Sequence, residues 1–524
     1  MDHRLLSLDS VSAAVGVPKD ILKLLGLLLL STPLSIPLAN LRSRSIHIYS
    51  ILCSTVFLLL VFNLTSGWIQ LVTSSLATWL TLKIQLNRKN LKSKTPWLIF
   101  FGLLGHLTIN HARRLFWNVS PDTVEITGSQ MVLVMKLSTF AWNVYDGQQP
   151  TESLDGYQRS TAIKELPGLL EFFGYCFFFP SLLVGPAIPF SDYSKFTSAR
   201  DHGLVSPPGR GAHALRKIAT GLLFAALVGL YGGQWSYERI LEDEFLAKSW
   251  LQRLWHLQVA GFMSRARYYL VWSLAEASLA MSGCGYDRIK GDWSGGRNIE
   301  IKEIELAQNY KAVFDNWNMK TNIWLRECVY KRVAVMEGNK PGFLSTMATF
   351  GASAAWHGPL PAYFVAFISG GFLQALGRSI RGAIRPFFLA SSRISKMVYD
   401  GLCIVGTQTT LNYLVVPFVL LDIGSTRVVY NRLAWYGHII AGIPMLILWA
   451  GGLERKLRKR HASHIKEQDK KAQVVAKQSK PTTMEPVVVA SGNSKTVITA
   501  TTNPVDGQKT ISMTTVIGTK LKST

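Results

Sequence analysis

The sequence predicts an all-α protein whose helices cross a lipid bilayer many times. Of its 524 residues, 48% are hydrophobic and 17% are charged, whereas a soluble domain carries about 25% charged residues. Its mean hydropathy is positive, at +0.19. The apolar residues are grouped in stretches that approach the roughly 20 residues that one spanning helix requires. These observations exclude a disordered chain, a coiled coil and an ordinary soluble enzyme.

Candidate membrane segments follow one another along most of the chain. They are residues 21–41, 48–66, 67–82, 97–117, 131–145, 218–235, 262–282, 363–376, 402–421 and 435–451. Residues 166–190 are also apolar, but they contain four prolines. We expect this stretch to form a re-entrant hairpin, because broken backbone is tolerated at membrane depth only when it is buried in protein. The sequence thus predicts about ten or eleven membrane elements, some of them re-entrant.

Three parts are expected along the chain: an N-terminal segment at residues 1–20, a membrane domain at residues 21–455 and a tail at residues 456–524. The chain carries a formal charge of +24, and much of it lies at the C-terminal end. From Leu453 to Thr524 there are fourteen Lys or Arg and five Asp or Glu. Because the tail is polar, basic and poor in aromatic residues, we predict that it is disordered.

Loops rich in Lys and Arg predict which side of the membrane faces the cytoplasm. Residues 83–94 contain five Lys or Arg and no acid, so this loop and the basic tail are expected to be cytoplasmic. Lys520 and Lys522 resemble a cytosolic dilysine retrieval signal of the endoplasmic reticulum; the alternative is two lysines in a Lys-rich tail. We therefore expect an endoplasmic reticulum membrane protein. No nucleic-acid partner is expected, because the positive charge forms no patch interleaved with aromatic residues.

Motifs of several soluble enzyme classes are missing from the sequence. It has no G-x-x-x-x-G-K-[ST] phosphate loop, no G-x-G-x-x-G, no G-x-S-x-G nucleophile elbow and no H-E-x-x-H zinc helix. His106 and His111 have no carboxylate or cysteine nearby, and the five cysteines show no paired spacing. We therefore expect no metal and no other cofactor. His464 and Asp469 form an H-x4-D pair, which we interpret as chance because it lies in the polar tail.

The first candidate site is a polar stretch that follows residue 306. Trp317, Thr321 and Trp324 recur near helical spacing, which predicts a helix with one partly polar face. Asn318 and Thr321 are three residues apart and therefore share that face, where the hydroxyl can orient the amide. The alternative is an interfacial helix with a belt of tryptophans.

The second candidate site is His357, which lies in an apolar stretch at residues 342–377. These 36 residues exceed one straight span, and Gly358 and Pro359 predict a break directly after the histidine. A helix from Phe343 to His357 rises by about 22 Å, so the imidazole is expected deep in the bilayer. An ionisable side chain at that depth suggests a functional site. The alternative is a structural histidine that is bonded to a neighbouring helix.

Together, these two stretches resemble the membrane-bound O-acyltransferase family. The pattern is Trp317-Asn318-x-x-Thr321-x-x-Trp324-Leu325-x-x-x-Val329-Tyr330, followed by Trp356-His357-Gly358. Blocks at residues 130–137, at Asp146-Gly147 and at residues 178–186 resemble the lysophospholipid acyltransferase branch in its fungal form. The likeness extends from about residue 20 to residue 455. One departure is Pro361-Ala362-Tyr363, where many relatives have Pro-Gly-Tyr.

The resemblance implies a helical fold that encloses a catalytic tunnel, with His357 and Asn318 as the catalytic pair. It implies acyl-CoA as the co-substrate, a lysophospholipid as the acceptor, and no cofactor. An activated thioester requires no covalent nucleophile. A neutral histidine can remove the proton of the acceptor hydroxyl, which typically contributes about 10² to 10⁴-fold in rate. The Asn amide either holds the hydroxyl or donates to the oxyanion, and such a donor contributes about 10² to 10³-fold.

Five further residues are weaker candidates for substrate binding: Trp317, Lys320, Thr321, Arg332 and Trp356. Lys320 and Arg332 belong to a basic group that is expected to attract the CoA phosphates; the alternative is ordinary positive charge in a cytoplasmic loop. Two other functions remain open. Either the acceptor is a sterol, a diacylglycerol or a protein, or the chain is a transporter with broken helices and a proton-coupling histidine. The sequence predicts no particular oligomeric state.

Overall fold

The computed structural model of the chain confirms the prediction of an all-α membrane domain. It describes residues 8–89, 91–120, 122–203, 206–336, 338, 342–389, 392–463, 482–483, 486–491, 494–502 and 509–517. The N-terminal helices are α1 (Leu8–Val15), α2 (Lys19–Leu34), α3 (Ser43–Val56), α4 (Thr65–Asn87), α5 (Lys94–Phe116), α6 (Ile126–Asp146), α7 (Gly156–Thr161), α8 (Leu169–Cys176) and α9 (Phe190–Asp201). The central helices are α10 (Arg210–Tyr231), α11 (Trp250–Ser282), α12 (Ile301–Glu305), α13 (Tyr310–Asn316), α14 (Met319–Leu325), α15 (Lys331–Met336) and α16 (Phe343–His357). The C-terminal helices are α17 (Pro361–Leu389), α18 (Arg393–Leu414), α19 (Val416–Leu420), α20 (Ile423–Arg432) and α21 (Tyr436–Met445).

Short turns of other helix types connect or extend these helices. Turns of π-helix lie at Phe57–Val61, Arg326–Tyr330 and Leu446–Ala450. Turns of 3-10 helix lie at Pro37–Ala39, Thr151–Ser153, Phe179–Ser181, Glu238–Leu241, Asp243–Ala247 and Ser294–Gly296. The π-turn at Arg326–Tyr330 joins α14 directly to α15, so that the chain is helical without interruption from Met319 to Met336.

Helix α11 shows how local sequence sets the ends of a long helix. Ser249 and Gln252 form a capping box at its start, and Gly283 ends it in the left-handed conformation, with φ of 87°. Its 33 residues rise by about 50 Å. It packs closely against α10, because a Cβ atom on Gly221 would lie 2.7 Å from the side chain of Leu274. A helix of this length can brace residues at both ends of the membrane domain.

Helix α6 forms the centre of the membrane domain. Seventeen of its 21 residues are buried, and α4, α5, α8 and α14 all contact it. Even the ammonium group of Lys136 lies inside, where it donates to the carbonyl oxygens of Tyr175 at 2.8 Å and Cys176 at 3.4 Å. These bonds compensate the loss of water around a buried charge. Different faces of α6 therefore contact different neighbouring helices.

Among the described residues, four helical segments are long and apolar enough to span a membrane. They are Lys19–Ala39, Ser43–Val61, Arg210–Tyr231 and Arg393–Leu420, and the bent pair Ile423–Arg432 with Tyr436–Ala450 adds a fifth. This number is smaller than the ten or eleven elements that the sequence predicts. Helices α5, α6 and α11 have sufficient length but carry the buried polar residues Asn110, Lys136 and Glu276. Such side chains lower hydropathy and are accommodated by neighbouring helices.

Residues 166–190 are broken as the prolines predict. They form α8, the 3-10 turn at Phe179–Ser181 and irregular chain that leads into α9. Most of their aromatic side chains are buried, among them Phe172, Tyr175 and Phe178. This burial agrees with the expectation that broken backbone lies inside protein. The re-entrant path itself stays a prediction.

The chain divides into two compact units, of which the first contains residues 1–378 and 396–444. The second unit contains residues 379–395 and 445–524. Within the second unit, the indole nitrogen of Trp449 donates to the hydroxyl of Ser379 at 3.0 Å. Residues 453–463 of this unit are helical.

The tail differs from the predicted disorder in the part that the structure describes. It contains the strands β1 (Thr482–Thr483), β2 (Val487–Ser491), β3 (Ser494–Thr502) and β4 (Lys509–Ile517). Strand β3 pairs antiparallel with each of the other three. These segments are rich in Val, Ile and Thr, whose branched side chains favour extended backbone. The prediction of disorder rested on the polar and basic composition of the tail and did not include this local propensity. His464, Asp469, Lys520 and Lys522 lie outside the described residues.

Candidate active site

His357 is the last residue of α16, at a break between two helices. Gly358 follows with φ of 139°, a value that side chains rarely adopt, and α17 starts at Pro361. The break that Gly358 and Pro359 predict is therefore confirmed. Four aromatic rings surround the imidazole, with centroid distances of 4.7 Å for Trp356, 5.6 Å for Tyr363, 5.0 Å for Phe367 and 5.0 Å for Phe418.

The imidazole of His357 is half-buried, and no hydrogen bond from it to another described residue is present. The ring of Phe367 stacks on it at an interplanar angle of 20°, while the ring of Phe418 meets it edge-on at 86°. Aromatic contacts of this kind fix the plane of a ring without occupying its nitrogens. The structure thus gives no support to the alternative of a histidine bonded to a neighbouring helix.

A second histidine, His111 of α5, holds the end of α16. Its Nε2 lies 3.3 Å from the carbonyl oxygen of Trp356, and because a carbonyl only accepts, Nε2 is the donor. A Cβ atom on Gly358 would lie 3.5 Å from Cγ of His111. His111 therefore packs against the turn that sets the position of His357. The sequence offered no local signal for this role, because the two residues are far apart in the chain.

Asn318 does not lie inside a helix, which corrects the prediction of one polar helix from residue 317 onward. The chain breaks between α13 and α14, and Asn318 occupies the break with φ of 44° and ψ of 55°. Asparagine is one of the few residues that tolerate this left-handed conformation. The hydroxyl of Thr321 donates to Sδ of Met135 on α6 at 3.2 Å. It therefore does not orient the Asn318 amide as predicted.

Trp317 anchors the same break against α11. Its ring lies 5.3 Å from Tyr268, 6.0 Å from Tyr269 and 5.0 Å from Trp272, all in edge-to-face arrangements. Such pairs add to the stabilisation that burial of the ring provides. Trp317 thus fixes the chain immediately before Asn318.

Two tryptophans connect the Asn318 segment to the His357 segment through α6. The rings of Trp324 and Trp356 lie 5.8 Å apart. The indole nitrogen of Trp324 donates to the hydroxyl of Ser138 at 2.8 Å, and that of Trp356 donates to the carbonyl oxygen of Met131 at 2.9 Å. Both acceptors belong to α6, which therefore places α14 and α16 relative to each other. Trp356, predicted to bind substrate, uses its only donor for this contact.

Arg332, another predicted substrate-binding residue, forms a bidentate ion pair with Asp146. Its two terminal nitrogens lie 2.8 Å and 2.6 Å from the carboxylate oxygens of Asp146, and its guanidinium carbon lies 4.2 Å from the ring of Trp142. Asp146 is almost fully buried, at 1% exposure. The charge of Arg332 is therefore already compensated within the protein. The compensating acid, Asp146, belongs to the Asp146-Gly147 block that resembles the lysophospholipid acyltransferase branch.

The neighbouring cations are paired as well. Lys331 contacts Asp155 at 2.6 Å and Glu327 at 2.7 Å, and Arg326 contacts Glu327 at 2.9 Å. Burial acts to raise the pKa of the Asp155 carboxyl, but hydrogen bonds from Lys331 and from the backbone of Gln158 lower it below its usual value. The basic group that the sequence predicts is thus interleaved with acids, which reduces its attraction for phosphates.

Lys320 lines a small cavity beside α14. The cavity has a volume of about 70 Å³, and its lining includes Lys136, Asp192, Lys320, Trp324 and Glu327. Because one water requires about 10–15 Å³ by this measure, the cavity has room for a few waters. It is too small for an acyl chain or a nucleotide. The catalytic tunnel therefore stays a prediction.

Comparison with known proteins decides the family. The family model of the membrane-bound O-acyltransferases matches residues 115–416, which include both Asn318 and His357. The chain belongs to the membrane-bound O-acyltransferase family. This family member is a multi-pass membrane protein and an acyltransferase, which confirms the enzyme class that the resemblance implied.

Named relatives of this acyltransferase are found in fungi and animals. It is 34% identical over 473 residues to the lysophospholipid acyltransferase of Schizosaccharomyces pombe, and the aligned region covers 86% of this chain and 91% of the relative. It is 34% identical over 475 residues to the lysophospholipid acyltransferase of Saccharomyces cerevisiae, with coverage of 84% and 76%. It is 31% identical over 371 residues to the human membrane-bound glycerophospholipid O-acyltransferase 1, with coverage of 67% and 73%. The family favours an acyltransferase over the transporter alternative.

Proposed function

We propose that this acyltransferase transfers an acyl chain from acyl-CoA to the free hydroxyl of a lysophospholipid. The names of the two yeast relatives support the choice of acceptor. The observation that carries the mechanism is the state of His357: a half-buried imidazole held by aromatic rings, with no hydrogen bond to another described residue. A ring held in this way is available to an incoming hydroxyl.

The proposed reaction begins when a ring nitrogen of His357 accepts the proton of the lysophospholipid hydroxyl. The oxygen attacks the thioester carbonyl, the C–O bond forms and the C–S bond breaks. The proton then passes from the imidazolium to the departing sulfur, which leaves as the thiol of CoA. Atoms and charge balance without a cofactor, and proton transfer of this kind contributes about 10² to 10⁴-fold in rate.

Asn318 is proposed to act on the other reacting group. Its carboxamide makes no hydrogen bond within the described chain and lies in a break that Trp317 anchors on α11. Such an amide either holds the acceptor hydroxyl or donates to the carbonyl oxygen as negative charge develops there. The substrates are proposed to lie between the two side chains, because Trp324 and Trp356 hold the two helices next to each other on α6.

The site of action is proposed to be the endoplasmic reticulum membrane, with the tail in the cytoplasm. The basic loop at residues 83–94 and a basic group that follows the predicted span at residues 363–376 support this orientation; the group consists of Arg378, Arg381, Arg385, Arg393 and Lys396. Acyl-CoA would then enter from the cytosol, while both acyl chains remain in the lipid phase. Localisation of tagged full-length protein, combined with protease protection of the tail, tests this part of the proposal.

The experiment that tests the reaction is acceptor profiling of purified protein in detergent or liposomes. Labelled saturated and unsaturated acyl-CoA are each offered with a panel of lysophospholipids, a sterol, a diacylglycerol and a protein acceptor. We expect labelled diacyl phospholipid from wild type and about 10² to 10⁴-fold slower formation by His357→Ala at matched protein amount. Transfer to a sterol, diacylglycerol or protein, but not to any lysophospholipid, would overturn the proposed acceptor.

A further inference from the structure

Residues 298–300 run beside the chain break that contains Asn318. The backbone nitrogen of Glu300 donates to the carbonyl oxygen of Asn316 at 3.1 Å, and that of Met319 donates to the carbonyl oxygen of Asn298 at 2.8 Å. The side-chain oxygen of Asn298 also accepts from the backbone nitrogen of Lys320 at 3.1 Å. These hydrogen bonds lie on both sides of Asn318 and fix its backbone.

Asn298 performs a task that normally falls to the residue at the start of a helix. The first backbone N–H groups of any helix lack partners within it, and the side chain of the preceding residue usually accepts from them. Asn318 precedes α14 in this position, yet its side chain forms no such cap. Asn298 accepts from Met319 and Lys320 instead. The carboxamide of Asn318 is thereby left unused by the fold.

Asn298 is itself held by a buried acid on α11. One carboxylate oxygen of Glu276 accepts from the backbone nitrogens of Asn298 at 2.7 Å and Ile299 at 3.0 Å. The other lies 2.5 Å from the ammonium of Lys217 on α10. Glu276 and Asn298 are nearly inaccessible, at 4% and 1% exposure. A buried carboxylate is stable only when it is paired and hydrogen-bonded in this way.

We propose that Asn298, held by Glu276, is a positioning residue that keeps the carboxamide of Asn318 free and correctly placed for acyl transfer. This inference rests on the proposed role of Asn318. Because misplacement of a catalytic group by about 1 Å reduces rate by about 10²-fold, loss of the Asn298 side chain should act chiefly on kcat. Binding of acyl-CoA and lysophospholipid should change little.

The test is a double-mutant cycle on purified full-length protein. Asn298→Ala, Asn318→Ala and the double variant are compared with wild type for kcat and KM, with labelled palmitoyl-CoA and lysophosphatidylcholine as probes. We expect Asn298→Ala to lower kcat by about 10- to 100-fold with KM within about twofold. In the Asn318→Ala background, Asn298→Ala should produce no further loss, because residues that act as a unit are not additive.

The chain offers a matched control in Asn309. Its side chain accepts from the backbone nitrogen of Ala312 at 3.0 Å and caps the neighbouring helix α13. Asn309→Ala removes an equivalent cap and should leave kcat near wild type.

The possible results separate the two claims. If Asn318→Ala turns over normally, the proposed role of Asn318 is wrong. If Asn318→Ala is impaired and Asn298→Ala multiplies that loss, or if Asn309→Ala is equally impaired, only the positioning role is overturned.

Should Asn298→Ala fail to accumulate, the cycle is repeated with Glu276→Gln, which retains an acceptor for Asn298 but loses the ion pair with Lys217. A loss of kcat that disappears in the Asn318→Ala background supports the proposal in that case too, and an additive loss overturns it.

Discussion

The indole rings of Trp324 and Trp356 lie 5.8 Å apart at an interplanar angle of 49°. This contact joins the helix that follows Asn318 to the helix that ends at His357. Both rings are buried, at 2% and 4% exposure. The relative position of the two proposed catalytic side chains therefore depends on a pair of aromatic side chains, each tied to α6 by its indole nitrogen.

Removal of the Trp324 ring should lower both stability and activity. Truncation of a buried Trp typically costs about 3–5 kcal/mol of the free energy of unfolding, and it would free α14 from α16. We expect Trp324→Ala to lower the thermal unfolding temperature in detergent and to reduce kcat more than Trp324→Phe does. Trp117→Ala is the control, because that ring is 66% exposed. Equal losses in Trp117→Ala would contradict this account.

Arg332 should prove to be a structural residue more than a phosphate-binding one. Its removal leaves the Asp146 carboxylate buried without a partner, and such a change typically costs about 3–5 kcal/mol. We expect Arg332→Ala to lower the unfolding temperature, and Asp146→Asn in the same chain to restore part of it. A variant of unchanged stability whose KM for acyl-CoA is raised, and depends less on salt than that of wild type, would instead favour phosphate binding.

Gly147 should tolerate no side chain. A Cβ atom there would lie 2.0 Å from the carbonyl oxygen of Ile163, far inside contact distance, and the clash involves backbone that cannot rotate away. We expect Gly147→Ala to reduce folded protein in the membrane sharply. Gly156→Ala, where a Cβ atom meets nothing within 4 Å, should accumulate normally. Fluorescence-detected size-exclusion of tagged variants measures both, and equal yields would show that the turn is less tight than described.

His111 should influence the rate without being essential. Its hydrogen bond to the carbonyl oxygen of Trp356 holds the turn after His357, so that His111→Phe should lower kcat several-fold and leave residual transfer. His202→Phe is a suitable control, because His202 also contacts a carbonyl oxygen, that of Ser198, at 2.8 Å on another helix. If His111→Phe abolished transfer as completely as loss of His357, His111 would belong to the reacting groups.

The fold class and the helix break after His357 were predictable because their causes are local. Long apolar stretches predict helices, and Gly358 with Pro359 predicts the break after the histidine. The conformation of Asn318 was not predictable from helical spacing, because Asn298 and Glu276 impose it from distant parts of the chain. The pairing of Arg332 with Asp146 spans 186 positions. In the tail, composition predicted disorder, whereas segments rich in branched residues form strands.

Acyl transfer by His357→Ala tests most directly whether the imidazole of His357 is the general base. Wild type and variant are purified at equal yield, their folding is matched by thermal unfolding, and the rate of labelled acyl transfer from acyl-CoA to a lysophospholipid is measured at saturating substrates. If the imidazole is the general base, the variant loses about 10² to 10⁴-fold in kcat while remaining folded in the membrane. Turnover by the folded variant within about twofold of wild type, outside the range expected for loss of a general base, would contradict the account.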